Sequence, residues 1–297
     1  MILLDGKALA AEIHQELRAE VARLGQRGIR PHIALLLVGD NPASLSYVRS
    51  KSRACEHVGI RSTVLHLPAE TTHEEVLGIV QRWNADPDIH GILVQLPLPP
   101  HVNADDILQT IDPQKDVDGF HPVNVGRLVL GLPTLVPCTP AGIVELLRRY
   151  RQSVRGKHVV VVGRSNIVGK PIANLLVQKA EWADAVVTIC HSAAADLRAL
   201  TRNADVLIVA IGRAGFITGD DVRDGAVVVD VGINRIEDPS SPKGYRIVGD
   251  VEWASVAPKA SAITPVPGGV GPMTIAMLLR NTVIAAEGNA WQKPLFQ

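Results

Sequence analysis

Cysteine is scarce: Cys55, Cys138 and Cys190 are the only three in 297 residues. An odd and widely separated set of this kind builds neither a disulfide framework nor a zinc site, and it suits a reducing cytoplasm. Net charge is absent as well, since 30 basic residues face 30 acidic ones. That balance removes the electrostatic case for nucleic acid or an anionic membrane as partner. Long apolar runs are missing. The opening MILLDGKALAAEIHQEL has too short an apolar run for a signal peptide and passes straight into an amphipathic helix, and no stretch is long enough to cross a bilayer. The chain also lacks internal repeats and low-complexity tracts. It does have length enough for two ordinary domains with substantial cores.

The segment His158 to Leu176, HVVVVGRSNIVGKPIANLL, changes hydrophobic period in its middle and carries glycines at the change. Four consecutive valines, Val159 to Val162, predict a strand buried on both faces of a parallel sheet. Gly163 opens a tight turn, Gly169 permits close backbone approach, and Pro171 with Ile172, Leu175 and Leu176 begins an amphipathic helix. Strand, glycine turn and helix in that order make a dinucleotide site, the pyrophosphate resting on unpaired N–H groups at the helix start. The spacing G-x-S-x-x-x-G departs from G-x-G-x-x-G, so this segment alone also fits an ordinary α/β crossover. Further strand runs at 185–190, 205–210 and 226–231 predict a doubly wound parallel sheet. After the first of these comes Cys190-His191-Ser192, with no carboxylate for an adenosine ribose until Asp196. Arg164 stands in the phosphate turn instead, where a guanidinium pairs with a 2′-phosphate, so NADP is the expected cofactor. The competing reading of Arg164 is a solvated turn residue.

The first half alternates in the same way: helix 5–27, strand 32–38, helix 42–58, strand 61–67, helix 72–84 and strand 91–96. A short helix at 104–109 and an irregular stretch from Asp112 to Thr139 lead to a helix at 140–150. The expected fold is α/β and two-lobed. An N-terminal α/β domain covers 1–140, a Rossmann-type doubly wound sheet 141–270, and a C-terminal segment 271–297 whose helix is apolar enough to pack back on the N-terminal domain. A cleft between the lobes would then hold a small molecule.

Several residues stand out. Tyr47 and Lys51 share one face of the helix begun by Asn41 and Pro42. Tyr-x-x-x-Lys is the catalytic pair of short-chain dehydrogenases, but those enzymes place it downstream of the nucleotide turn, and here it comes first. A ring on the core beside a solvated amine is the plainer reading. Asp116-Val117-Asp118-Gly119-Phe120 offers paired carboxylates at a glycine turn, or simply an Asx-type turn. Val125, six residues after Gly119, excludes a calcium loop, and His73-Glu74-Glu75 lacks the second histidine of a zincin. Gln95 ends a buried strand, where its amide needs a partner or a ligand. The run Thr264 to Thr274, with its prolines and glycines, predicts a loop lying against a planar ligand and no regular element.

Taken together the chain resembles the bifunctional methylenetetrahydrofolate dehydrogenase/cyclohydrolase family over nearly its whole length. The resemblance rests on Pro42-Ala43-Ser44 through Tyr47-Val48-Arg49-Ser50-Lys51, on Gly91 to Pro99, on Asp116 to Phe120, on Thr264 to Thr274, and on Gly163-Arg164-Ser165 with Val168-Gly169-Lys170-Pro171, in that family's order. It implies NADP-dependent oxidation of 5,10-methylenetetrahydrofolate and hydrolysis of the methenyl product to 10-formyltetrahydrofolate. It also implies a cytoplasmic homodimer serving one-carbon metabolism and, through it, purine, methionine and histidine synthesis. Family roles fall on Lys51 as proton-transfer group, Tyr47 as stacking ring, Gln95 as the partner orienting Lys51, and Asp118 as pterin anchor. Gly163, Arg164, Ser165, Ser192 and Ile233 align with cofactor positions, and Pro265, Gly268 and Gly269 with a loop near folate and nicotinamide. The loop Gly212 to Phe216 departs from the pattern in Arg213 and Ala214, and the tail from Asn289 has no counterpart. Rival readings are a monofunctional folate dehydrogenase, a dehydrogenase of another small substrate such as a shikimate-type enzyme, and a non-catalytic nucleotide-binding protein.

Overall fold

The computed structural model describes residues 1–241, 244–292 and 294–296. Lys293 and Gln297, both inside the expected C-terminal segment, lie outside the described residues. The chain divides into two compact units, one of Met1–Ala10 with Thr139–Thr274 and the other of Ala11–Cys138 with Ile275–Gln297.

The chain begins with strand β1 (Ile2–Leu3) and helix α1 (Gly6–Gln26). Strand β2 (His32–Val38) is buried along its whole length, as the middle strand of a parallel sheet covered on both faces must be. Helix α2 (Pro42–Val58) starts where the Asn41 side chain accepts the Ala43 and Ser44 N–H groups and stops at Gly59, φ 84°. Asparagine and first-turn proline are the start signals read from its sequence, and the left-handed glycine is what ends it. Strand β3 (Arg61–Leu67), helix α3 (His73–Ala85) and strand β4 (Gly91–Val94) follow, α3 opening on a capping box of Thr72 and Glu75. The three strands form a parallel sheet in the order β3-β2-β4. Ala34, Leu36, Ile92 and Val94 pack on Val76, Val80 and Ile107 from α3 and helix α4 (Ala104–Thr110). Strand β4 is shorter than the expected 91–96, which leaves Gln95 just past its end. Helix α5 (Pro122–Val129) occupies a stretch expected to be irregular. The neighbouring Gly119, Gly131 and Pro133 read as breakers, yet Pro122 takes the first turn and the His121 ring accepts the Val123 N–H at 3.1 Å.

Helix α6 (Cys138–Arg149) leads into strand β5 (His158–Val162), helix α7 (Gly169–Leu176), strand β6 (Val186–Cys190), helix α8 (Leu197–Thr201), strand β7 (Val206–Val209) and strand β8 (Val227–Asp230). Strands β9 (Asn234–Glu237) and β10 (Tyr245–Val248) pair as an antiparallel hairpin. Helix α9 (Trp253–Val256), strand β11 (Ala262–Ile263) and helix α10 (Val270–Ala286) complete the chain. The large sheet is parallel, in the order β1-β11-β8-β7-β5-β6. Winding reverses between β5 and β7, the topological switch point where α/β sheets open a ligand crevice at their C-terminal ends.

Three expectations change here. Ile2 and Leu3 pair with Ala262 and Ile263, so the first ten residues join the nucleotide unit and not the lobe assigned to 1–140; a two-residue edge strand carries no readable period. The β9–β10 hairpin and β11 were not expected, for the same reason of brevity. Helix α10 begins inside the run 264–274, because Pro272 falls in its first turn, where proline removes no helical hydrogen bond. Its buried Met273, Met277, Leu278, Leu279 and Val283 make it a core helix.

Candidate active site

Helix α2 presents Tyr47 and Lys51 one turn apart. Tyr47 is 44% exposed, so its ring is not a core ring. Lys51 is half-buried and its Nζ donates to Gln95 Oε1 at 3.1 Å, which removes the solvated-amine reading. Gln95 in turn donates its amide to the Leu96 carbonyl at 2.7 Å, and this turns its oxygen toward the lysine. The paired carboxylates of the glycine turn divide their work. Asp116 is buried and accepts the Gly119 and His121 N–H groups and the Asn124 amide, so it builds the turn; burial pushes its carboxyl up to about 6. Asp118 is aimed elsewhere. Burial pushes its carboxyl up, against the opposing pull of the Lys51 ammonium and the Cys138 thiol beside it. Cys138, noted in the sequence only for its rarity, is thus part of this neighbourhood; burial holds its thiol far above the ordinary range, which makes it a neutral neighbour and not a nucleophile.

The nucleotide turn is backbone against backbone. A Cβ on Gly163, whose φ is 135°, would stand 2.2 Å from the Ala210 oxygen, and one on Gly169 would stand 2.2 Å from the Gly163 oxygen. Only glycine fits both positions, and a backbone without side chains there suits the close approach of a pyrophosphate. Ser165 Oγ accepts the Val168 and Gly169 N–H groups at 3.1 and 3.3 Å, capping α7 in place of Val168, which has no polar side chain to do so. Arg164 Nη1 lies 3.2 Å from His191 Nε2. His191 Nδ1 also accepts the Ala193 N–H at 3.2 Å, which holds the ring beside the guanidinium. Ser192 is exposed next to them. Asp196, the nearest carboxylate in sequence, accepts the Ala199 N–H at 2.9 Å as the cap of α8.

Ile233, just past β8, is 51% exposed. The loops around it hang on two buried carboxylates that the sequence did not mark. Asp250 accepts the Ile211, Gly212 and Arg213 N–H groups and the Asn234 amide. Asp230, pushed up to about 6 by burial, accepts the Gly232, Asp250 and Val251 N–H groups. Pro265, Gly268 and Gly269 belong to this unit, where the Gly268 oxygen accepts the Lys7 N–H at 2.8 Å, whereas Tyr47, Lys51, Gln95 and Asp118 belong to the other.

A glycine cradle at a topological switch point, together with a lysine held by a glutamine near a half-buried aspartate, defines a nucleotide-dependent α/β enzyme. The family model for the tetrahydrofolate dehydrogenase/cyclohydrolase catalytic domain matches residues 4–118, and that for the NAD(P)-binding domain of the same enzymes matches residues 137–290. The bifunctional protein FolD of Prosthecochloris aestuarii is 57% identical over 286 residues, covering 95% of this chain and 97% of that protein. Among solved structures, the bifunctional FolD methylenetetrahydrofolate dehydrogenase/cyclohydrolase of Campylobacter jejuni is 51% identical with a TM-score of 0.92, covering 97% of this chain and 99% of its own. The FolD of Trypanosoma brucei, solved with NADP and an inhibitor, is 42% identical with a TM-score of 0.92 over 97% of this chain and 98% of its own. The chain belongs to the tetrahydrofolate dehydrogenase/cyclohydrolase family. It is a bifunctional enzyme of one-carbon metabolism that oxidises and hydrolyses tetrahydrofolate derivatives and binds a nicotinamide dinucleotide. Among the described residues no helix is long and apolar enough to cross a membrane.

Proposed function

We propose that Tyr47, Lys51, Gln95 and Asp118 form the folate half of the site, and that the chain prefers NADP to NAD in oxidising 5,10-methylenetetrahydrofolate. Bound NADP supplies the hydride acceptor, and the fit of the turn to it rests on the Gly163–Gly169 cradle and on the Arg164 guanidinium beside it. Asp118 accepts two hydrogen bonds from the amino-pyrimidinone edge of the pterin, Tyr47 offers its exposed ring for stacking, and the two together align the bridge carbon. Hydrolysis makes a different demand. Water attacks the methenyl carbon and gives up protons while the ring nitrogen that leaves gains one, so a proton carrier must stand at the carbon. Lys51 is that carrier, and Gln95 fixes where its amine points. Family resemblance supports Pro265, Gly268 and Gly269 as a loop near folate and nicotinamide, with Ser165, Ser192 and Ile233 on the dinucleotide. It likewise supports a cytoplasmic homodimer feeding purine, methionine and histidine synthesis.

The observation that carries this reading is the 3.1 Å hydrogen bond from Lys51 Nζ to Gln95 Oε1. Lys51→Met keeps the stem and deletes the amine. Positioned proton transfer contributes about 10²–10⁴-fold, so the variant loses the cyclohydrolase activity by that factor, retains some dehydrogenase activity, and accumulates methenyltetrahydrofolate, read by its absorbance during turnover. A folded variant that hydrolyses the methenyl compound at the parent rate refutes the assignment.

A further inference from the structure

Asn281 on α10 is completely buried. Its amide nitrogen donates to the Val117 carbonyl at 2.9 Å and to the Val136 carbonyl at 2.9 Å, and stands 3.7 Å from the Cys138 sulfur. Two N–H groups are all that an amide has, and the two carbonyls use both. The Val117 carbonyl belongs to the peptide that leads into Asp118, and the Val136 carbonyl to the peptide that leads into Pro137. These two segments already touch: a Cβ on Gly119 would stand 2.5 Å from Pro137 N and 2.6 Å from Val136 C. The Cys138 thiol donates to the same Val117 carbonyl at 3.2 Å and adjoins the Asp118 carboxyl. One side chain from the last helix therefore ties the peptide that leads into Asp118 to the segment packed on Gly119, the residue after it. The next residue, Thr282, lies against Gly91, at the start of the strand whose far end delivers Gln95.

We propose that Asn281 is a positioning residue for the folate half of the site: without touching substrate, it sets where Asp118 stands relative to Lys51. The inference rests on the pterin-anchoring role proposed above for Asp118. A donor that merely satisfied two buried carbonyls would stabilise the fold and nothing more. A positioning residue does more, because a displacement of about 1 Å in an anchoring group lowers catalysis by up to about 10²-fold.

Asn281→Leu keeps the volume and removes both donors. The expected result is a tenfold or greater rise in the KM for the folate substrate in both activities, with the KM for NADP within twofold of the parent. The acid limb of folate binding moves to lower pH, because a loosened turn readmits water to a carboxyl that burial holds up. In a double-mutant cycle, Asn281→Leu adds little to the folate loss already caused by Asp118→Ala. Additive losses, or a folate KM unchanged in a folded variant, overturn the positioning role while leaving the anchor intact. Normal folate binding by Asp118→Ala alone removes the anchor and with it this inference. Should Asn281→Leu fail to fold, Asn281→Ser, which retains one shorter donor, takes its place in the same cycle with the same outcomes deciding.

Discussion

The Arg164 guanidinium stands in the phosphate turn, 3.2 Å from the His191 ring, where its several donors suit an anion. A 2′-phosphate distinguishes NADP from NAD and is the anion such a group selects. Losing one charge-assisted contact costs about 1.5–3 kcal/mol, a factor of ten or more in affinity. Arg164→Ala is therefore expected to raise the KM for NADP at least tenfold while leaving that for NAD nearly unchanged, measured by steady-state assays with each cofactor. Equal losses with both would make Arg164 a support of the turn and not a phosphate reader. Arg164, Lys51 and Gln95 were legible in the sequence because each sits inside a short local pattern. His191, Cys138, Asn281 and Asp250 were not. Their chemistry depends on partners far away in the chain, as when an asparagine near the C-terminus meets the carbonyls of Val117 and Val136, and no spacing rule encodes such a meeting.

The unit formed by β5, its glycine turn and α7 shows the same logic one level up. Its valine run, the two glycines and the proline that starts the helix were all visible, since each is a local instruction to the backbone. Gly163→Ala tests how strictly that instruction is obeyed. The added methyl would stand 2.2 Å from the Ala210 oxygen, in a φ of 135° that L-residues rarely adopt. Strain of this kind costs about 1–3 kcal/mol, and relief requires β5 and β7 to part at the crevice. The expected outcome is loss of NADPH binding in a fluorescence titration, together with a lowered unfolding midpoint. Native NADPH affinity in the alanine variant would show that the turn has room to move. Elements that the sequence did not disclose fail in a common way: β1, β11 and the β9–β10 hairpin have two to four residues each, too few to display a period. Helix α5 was hidden by glycine and proline that read as breaks, although Pro122 marked its start.

Both units carry a buried carboxylate pushed up to about 6, Asp116 in one and Asp230 in the other. In an unfolded chain an aspartate titrates near about 3.9, so between pH ~4 and ~6 the folded state binds more protons than the unfolded one. Stability from each group is then fully present below pH ~4 and is lost as pH rises through ~6. The histidines act in the opposite sense. Burial holds His14, His32 and His90 below the ordinary value, so their contribution is present above pH ~6.5 and lost as pH falls. A plain pH scan mixes the two effects, and a comparison of parent with Asp116→Asn cancels the histidines. The substitution is destabilising at every pH, because the Gly119 and His121 N–H groups and the Asn124 amide all donate to that carboxylate and an amide in its place offers only one acceptor oxygen. Its penalty is expected to be about 2 kcal/mol smaller at pH 7.5 than at pH 4.5, since only the parent must ionise a buried acid as the pH rises. Urea titrations at the two pH values, read on the transition of the unit that contains Asp116, measure that difference. A penalty independent of pH would mean that Asp116 ionises as readily in the folded protein as in the unfolded chain, and that its three donors fully offset its burial.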